Sequence, residues 1–111
     1  MSRLDPRAIA ELRDLMGDEF NALIDVFRSD SLRLVEAIDE AAAQNDAEKL
    51  RHQSHGLKGA CINLGAVDLA ALCADIEAVG RSGDCGAARE LLAPLRCEYE
   101  AVSAALDSLK S

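Results

Sequence analysis

Residues 18–44, DEFNALIDVFRSDSLRLVEAIDEAAAQ, decide the fold. Phe20, Leu23, Ile24, Phe27, Leu34, Val35 and Ile38 recur at intervals that bring them all to one face of an α-helix. The run opens at Asp18 and ends in Ala41, Ala42, Ala43 and Gln44.

The flanking segments carry the same signal. Upstream, Asp5 is an N-cap acid and Pro6 fits the first helical position, so a short helix is predicted over 6–16, stopped by Gly17. Downstream, Asn45 followed three residues later by Glu48 resembles a capping box. It predicts a helix over 46–64 with Leu50, Ser54, Leu57, Cys61 and Leu64 inward and Gly65 as the stop. The next helix, 66–81, turns Leu69, Leu72, Cys73, Ile76 and Val79 inward and ends in GRSGD. Asp84 caps the last, 85–109, which buries Leu91, Leu92, Leu95, Tyr99, Val102, Leu106 and Leu109 and should bend at Pro94. Joints this short make successive helices antiparallel neighbours. The predicted fold is all-α: one domain over 1–111, an antiparallel up-down four-helix bundle with a short N-terminal helix across one end.

Composition agrees. The 111 residues include 20 Ala and 16 Leu against 5 Val, 5 Ile and no Thr, which favours helix over sheet. A net charge of −8 argues against nucleic acid and anionic membranes as partners, since both need a basic face. No apolar run of about 18 residues exists to span a bilayer. The opening MSRLDPRAIAELRD lacks the long apolar stretch of a secretory signal, so a cytoplasmic protein with reduced thiols is expected. Cys61, Cys73, Cys85 and Cys97 fall 12 residues apart, without the short spacings of a metal site. All four are expected to be buried in helices.

The third predicted helix carries the chemistry. With Leu50 at zero and 100° per residue, its core stripe stays within about 40° of zero. His55 falls near 140°, on the outer face, with Arg51 near 100°, Lys58 near 80°, Ile62 near 120° and Gly59 near 180°. From Lys49 to Val67 there are three bases and no acid, so this stretch is +3 and the rest of the chain −11. Such a basic island suits an anionic partner. Gly56 and Gly59 each cost about 1 kcal/mol relative to Ala inside a helix. Gly59, one turn after His55, leaves room for another molecule to reach the imidazole.

The stretch HGLKGACINLGA, residues 55–66, resembles the signature of histidine-containing phosphotransfer (HPt) domains, stand-alone type. Their pattern is a His, two residues, Lys-Gly, small residues and a Leu-Gly-Ala-like helix end. The likeness continues through Leu69, Leu72 and Glu77, and the helix layout covers nearly the whole chain. The resemblance implies that His55 is the phosphoacceptor and that Lys58 neutralises the phosphoryl group. It implies too that Gly59 makes space and that Glu77 holds the imidazole by a hydrogen bond. The donor it implies is an aspartyl phosphate on the receiver domain of a response regulator or hybrid sensor histidine kinase, which brings its own Mg²⁺. An imidazole is largely unprotonated near neutral pH, so if Glu77 or a backbone carbonyl takes the proton on Nδ1, Nε2 is free to attack. Arg51 and Ile62 are expected to touch the partner, with Leu4 and Ile9 adding to the dry part of the contact. No cofactor of its own and a monomeric state are expected.

Other classes fit less well. Asp107-Ser108-Leu109 spells the attachment motif of an acyl carrier protein, but there the serine opens a mid-sequence helix. A metal-binding bundle would need inward ligands from several helices, whereas His52 and His55 share one outer face. A kinase of its own would need a P-loop or kinase glycine loop, and neither occurs. The remaining alternative is an HPt-like module that binds a kinase or receiver without being phosphorylated.

Overall fold

A computed structural model describes residues 3–110. Five α-helices follow in order: α1 Pro6–Met16, α2 Phe20–Ala43, α3 Ala47–Leu64, α4 Val67–Ser82 and α5 Cys85–Asp107. Helices α2 to α5 form an antiparallel bundle in which each packs on its chain neighbours and α5 closes onto α2. Fully buried Ile24, Val35, Ile38, Leu50, Leu57, Leu69, Ile76, Leu95 and Leu106 fill its centre. Ser54 belongs to this inward stripe because its hydroxyl donates to the Leu50 carbonyl at 2.6 Å, so no polar group is left bare.

Helix α1 lies across one end. Asp5 accepts from the Arg7 N–H at 3.0 Å, and the Asp5 N–H donates to the Gly65 carbonyl at 2.9 Å. Gly65 ends α3 in the left-handed region, at φ 69°, and a Cβ there would lie 2.5 Å from the Asp5 Cβ. One glycine thus stops α3 and receives the start of α1. At the other flank Tyr99 donates to the Arg28 carbonyl at 2.9 Å, and the Arg28 guanidinium bonds Ser103 and Asp107, both at 2.8 Å. These contacts tie α5 to α2.

Several boundaries differ from those expected. A 3₁₀ turn, Gly17–Glu19, precedes α2, so the α-helix begins at Phe20, where burial of the ring anchors it. Asp46, not Asn45, caps α3, accepting from the Lys49 N–H at 3.0 Å. Asn45 instead takes φ 54° in the turn, and its side-chain carbonyl accepts from Arg89 at 2.6 Å. Helix α4 runs through Gly80 to Ser82 and stops at Gly83, φ 84°. Helix α5 ends at Asp107 rather than 109 and runs unbroken through Pro94, which sits on its exposed side. Cys97 also corrects an expectation: it is exposed while the other three cysteines are buried. Leu95, Tyr99 and Val102 fix the inward face of α5, and Cys97 lies about 200° from Leu95.

Candidate functional site

The rotation of α3 is set by its buried stripe, and His55, one residue past Ser54, is thereby turned outward with its side chain 66% exposed. The rotation of α4 is set by buried Leu69, Cys73 and Ile76. Glu77, the next residue, faces α3 with its side chain only 6% exposed. Gly80 brings the two helices together. A Cβ there would stand 3.1 Å from the Arg51 amide nitrogen and 3.2 Å from the Ala47 carbonyl oxygen, so only glycine fits without parting the backbones. One turn earlier on α4, that close approach puts the Glu77 carboxylate within reach of α3.

Three groups converge on this carboxylate. His55 Nδ1 lies 3.0 Å from Oε2, Arg81 Nη2 donates to Oε2 at 3.1 Å, and Lys58 Nζ lies 2.7 Å from Oε1. At 2.7 Å the Lys58 ammonium and Oε1 make a short, charge-assisted contact. The Lys58 ammonium, foremost, and the His55 ring hold the Glu77 carboxyl below its ordinary pKa, against the opposing effect of burial. Glu77 is therefore ionised at neutral pH and acts only as an acceptor, which makes Nδ1 of His55 the donor. The lone pair of the neutral ring then resides on Nε2, at the exposed edge. A nucleophilic nitrogen facing solvent beside two cations is suited to accepting an anionic electrophile such as a phosphoryl group.

The other sequence candidates are distributed as follows. Gly59 and Gly56 are exposed, and a Cβ on either would meet no atom within 4 Å, so nothing inside the chain requires glycine there. Arg51 is half-buried, and it makes no ion pair among the described residues. Ile62 is 62% exposed on the same outer side of α3. Leu4 and Ile9 correct an expectation: each is 6% exposed, part of the core under α1 and withdrawn from any docking surface. A separate apolar cleft of about 360 Å³ lies between α1, α2 and α3, lined by Leu12, Leu23, Val26, Leu34 and Ala60 among others, and includes none of the residues gathered at Glu77.

Arg81 is the site residue that reading the sequence missed. Its signal was present as an i,i+4 pair with Glu77, a spacing that places opposite charges side by side on a helix. No helix among the described residues is long and apolar enough to cross a membrane.

Comparison with known proteins follows the same line. The chain is 36% identical over 75 residues to the sensor protein TorS of Escherichia coli K12, a match that covers 67% of the chain and 8% of TorS. It superposes on the crystal structure of histidine-containing phosphotransfer protein B (HptB) from Pseudomonas aeruginosa PAO1 with a TM-score of 0.92. That alignment has 34% identity and covers 96% of this chain and 92% of the other. The family model of the Hpt domain matches residues 22–110, a span that contains His55, Lys58, Glu77 and Arg81. With four-fifths of its length inside that match, the chain belongs to the Hpt domain family, the histidine phosphotransfer modules of two-component phosphorelays.

Proposed function

We propose that His55 is the residue that carries the phosphoryl group, passing it between aspartates of receiver domains. The observation that carries this reading is the 3.0 Å contact between Nδ1 and the buried Glu77 carboxylate, which leaves Nε2 exposed as the nucleophile. Nε2 attacks the phosphorus of an aspartyl phosphate, a P–N bond forms, and the P–O bond breaks with its electron pair returning to the aspartate. Nδ1 keeps its hydrogen throughout, held by Glu77. Lys58 and Arg81 stand beside the ring to neutralise the incoming charge, as positioning and electrostatics supply most of the catalysis in phosphoryl transfer. Gly59 leaves the approach to the imidazole open.

Donor and acceptor are receiver domains of a response regulator or of a hybrid sensor histidine kinase, which bring the Mg²⁺ that the chemistry requires. Arg51 and Ile62 meet the receiver at the rim of the site. The protein has no kinase activity of its own and works as a cytoplasmic monomer. Mixing it with a phosphorylated receiver tests the reading. Wild type should acquire one acid-labile, alkali-stable phosphate and His55→Gln none; phosphate on the His55→Gln protein would overturn the assignment.

A further inference from the structure

The Glu77 carboxylate has a consequence for the phosphorylated protein as well as for the free one. Once Nε2 carries phosphate, the ring can leave phosphorus in two forms. If Nδ1 is protonated, the P–N bond breaks with its electron pair returning to Nε2, and the departing group is neutral imidazole. If Nδ1 is bare, the departing group is an imidazolate anion, a far poorer leaving group. In either case phosphorus gains an oxygen, from an acceptor carboxylate or from a water that sheds its proton to solvent. The protonation state of Nδ1 therefore governs how readily His55 gives its phosphate away.

The surroundings of Nδ1 pull in opposite directions. Helix α3 contributes Arg51, His52 and Lys58, and α4 contributes Glu77 and Arg81. Arg51, Lys58 and Arg81 are cations, and all disfavour a further positive charge on the ring. The Cys61 and Cys73 thiols are fully buried, and the contact with Cys61, together with burial, pushes the Cys73 thiol pKa up. Glu77 is the carboxylate in contact with the ring, 3.0 Å from Nδ1, and its burial leaves little water to screen it. It is also an ionised acceptor, which favours a hydrogen on the nitrogen it faces.

Resting on His55 as the phosphoacceptor, we propose that Glu77 keeps Nδ1 of phosphorylated His55 protonated. The phosphoryl group thus leaves on neutral imidazole, and one carboxylate sets the lifetime of the phosphorylated protein. Glu77 is in this sense a positioning residue, acting on phosphorus only through the ring. An amide in its place accepts the same hydrogen bond without the charge, so Glu77→Gln separates electrostatics from geometry.

The test loads wild type and Glu77→Gln with phosphoramidate, a small phosphodonor that needs no partner protein, and follows loss of the phosphate from pH 5 to 10. The rate should fall as Nδ1 loses its proton, with a midpoint lower in Glu77→Gln by about one unit or more. Above both midpoints the variant should then hold its phosphate about tenfold longer. Equal midpoints would overturn the proposal. Nitrogen NMR of phosphorylated wild type gives an answer without any variant. Nδ1 should titrate above its value in free phosphohistidine, and the same value in both would overturn the proposal. Failure of wild type to take phosphate on His55 from either phosphoramidate or a receiver would instead overturn the reading on which the proposal stands.

Discussion

Two oxygen atoms of Glu77 serve His55, Lys58 and Arg81, so each of those side chains can be removed with a distinct result. Lys58→Ala takes away the contact at Oε1 and a charge beside the phosphoryl group. A charge-assisted contact contributes about 1.5–3 kcal/mol, so transfer should slow by about ten- to a hundredfold, with the helix content unchanged. Rapid-quench transfer from a receiver measures it, and unchanged kinetics would remove Lys58 from the mechanism. Glu77 also makes stability depend on pH. Its folded pKa is depressed, so its contribution is complete above the ordinary value near 4.5 and is lost as pH falls through the folded value. Wild type should therefore lose more melting temperature between pH 6 and pH 3 than Glu77→Gln does, and parallel losses would contradict the depressed value. His55, Lys58 and Gly59 were legible in the sequence because they share one helix, whose stripe fixes its rotation. Glu77 as the partner of His55 came from the family resemblance and is found at 3.0 Å, whereas periodicity alone could not supply it or Arg81, because no pattern within α4 states how far along α3 it sits.

The element that determines this register is the α3–α4 crossing, and its two kinds of glycine give opposite predictions. At Gly80 an added Cβ would press on α3 backbone at 3.1 Å and 3.2 Å, so Gly80→Ala forces the helices apart. Overpacking of this kind costs about 1–3 kcal/mol, and it should also lengthen the His55–Glu77 contact. At Gly59 an added Cβ meets nothing, so Gly59→Ala should gain about 0.5–1 kcal/mol of helix propensity. Transfer should nevertheless slow, because the methyl group stands on the approach to Nε2. Urea unfolding together with transfer kinetics separates the two cases; a more stable Gly59→Ala protein with undiminished transfer would end the steric explanation. The helix stops at Gly17 and Gly65 could be read from sequence. The end of α4 was harder, since GRSGD offers two glycines and only packing assigns Gly80 to the helix and Gly83, at φ 84°, to its end. Asn45 and Asp46 posed the same ambiguity, because both residues make good caps and only the turn geometry chooses between them.

Over the whole molecule the charge of −8 is unevenly spread, but not as the linear sequence divides it. Of the three bases between Lys49 and Val67, Lys49 pairs with Glu40 of α2 at 3.5 Å and Lys58 with Glu77 of α4. Arg51 is the base of that stretch without an ion pair among the described residues, while Arg81 adds an exposed guanidinium from another helix. The cationic surface around His55 is thus assembled by folding from two helices. At about 0.15 M ionic strength the Debye length is about 8 Å, so an approaching acidic receiver senses these nearby cations more than the distant acids. In dilute salt the reach of the acidic remainder grows, and it opposes the encounter. Arg51→Glu should therefore lower the second-order rate of transfer several-fold, because it reverses the charge of a base beside the site that makes no ion pair among the described residues. The rate at saturating receiver should change little, since Arg51 makes no contact with the Glu77 carboxylate. Transfer kinetics at two ionic strengths would measure both quantities. A drop in the saturating rate alone would place Arg51 in the chemical step, and no change in either would mean that the charge around His55 does not guide the receiver.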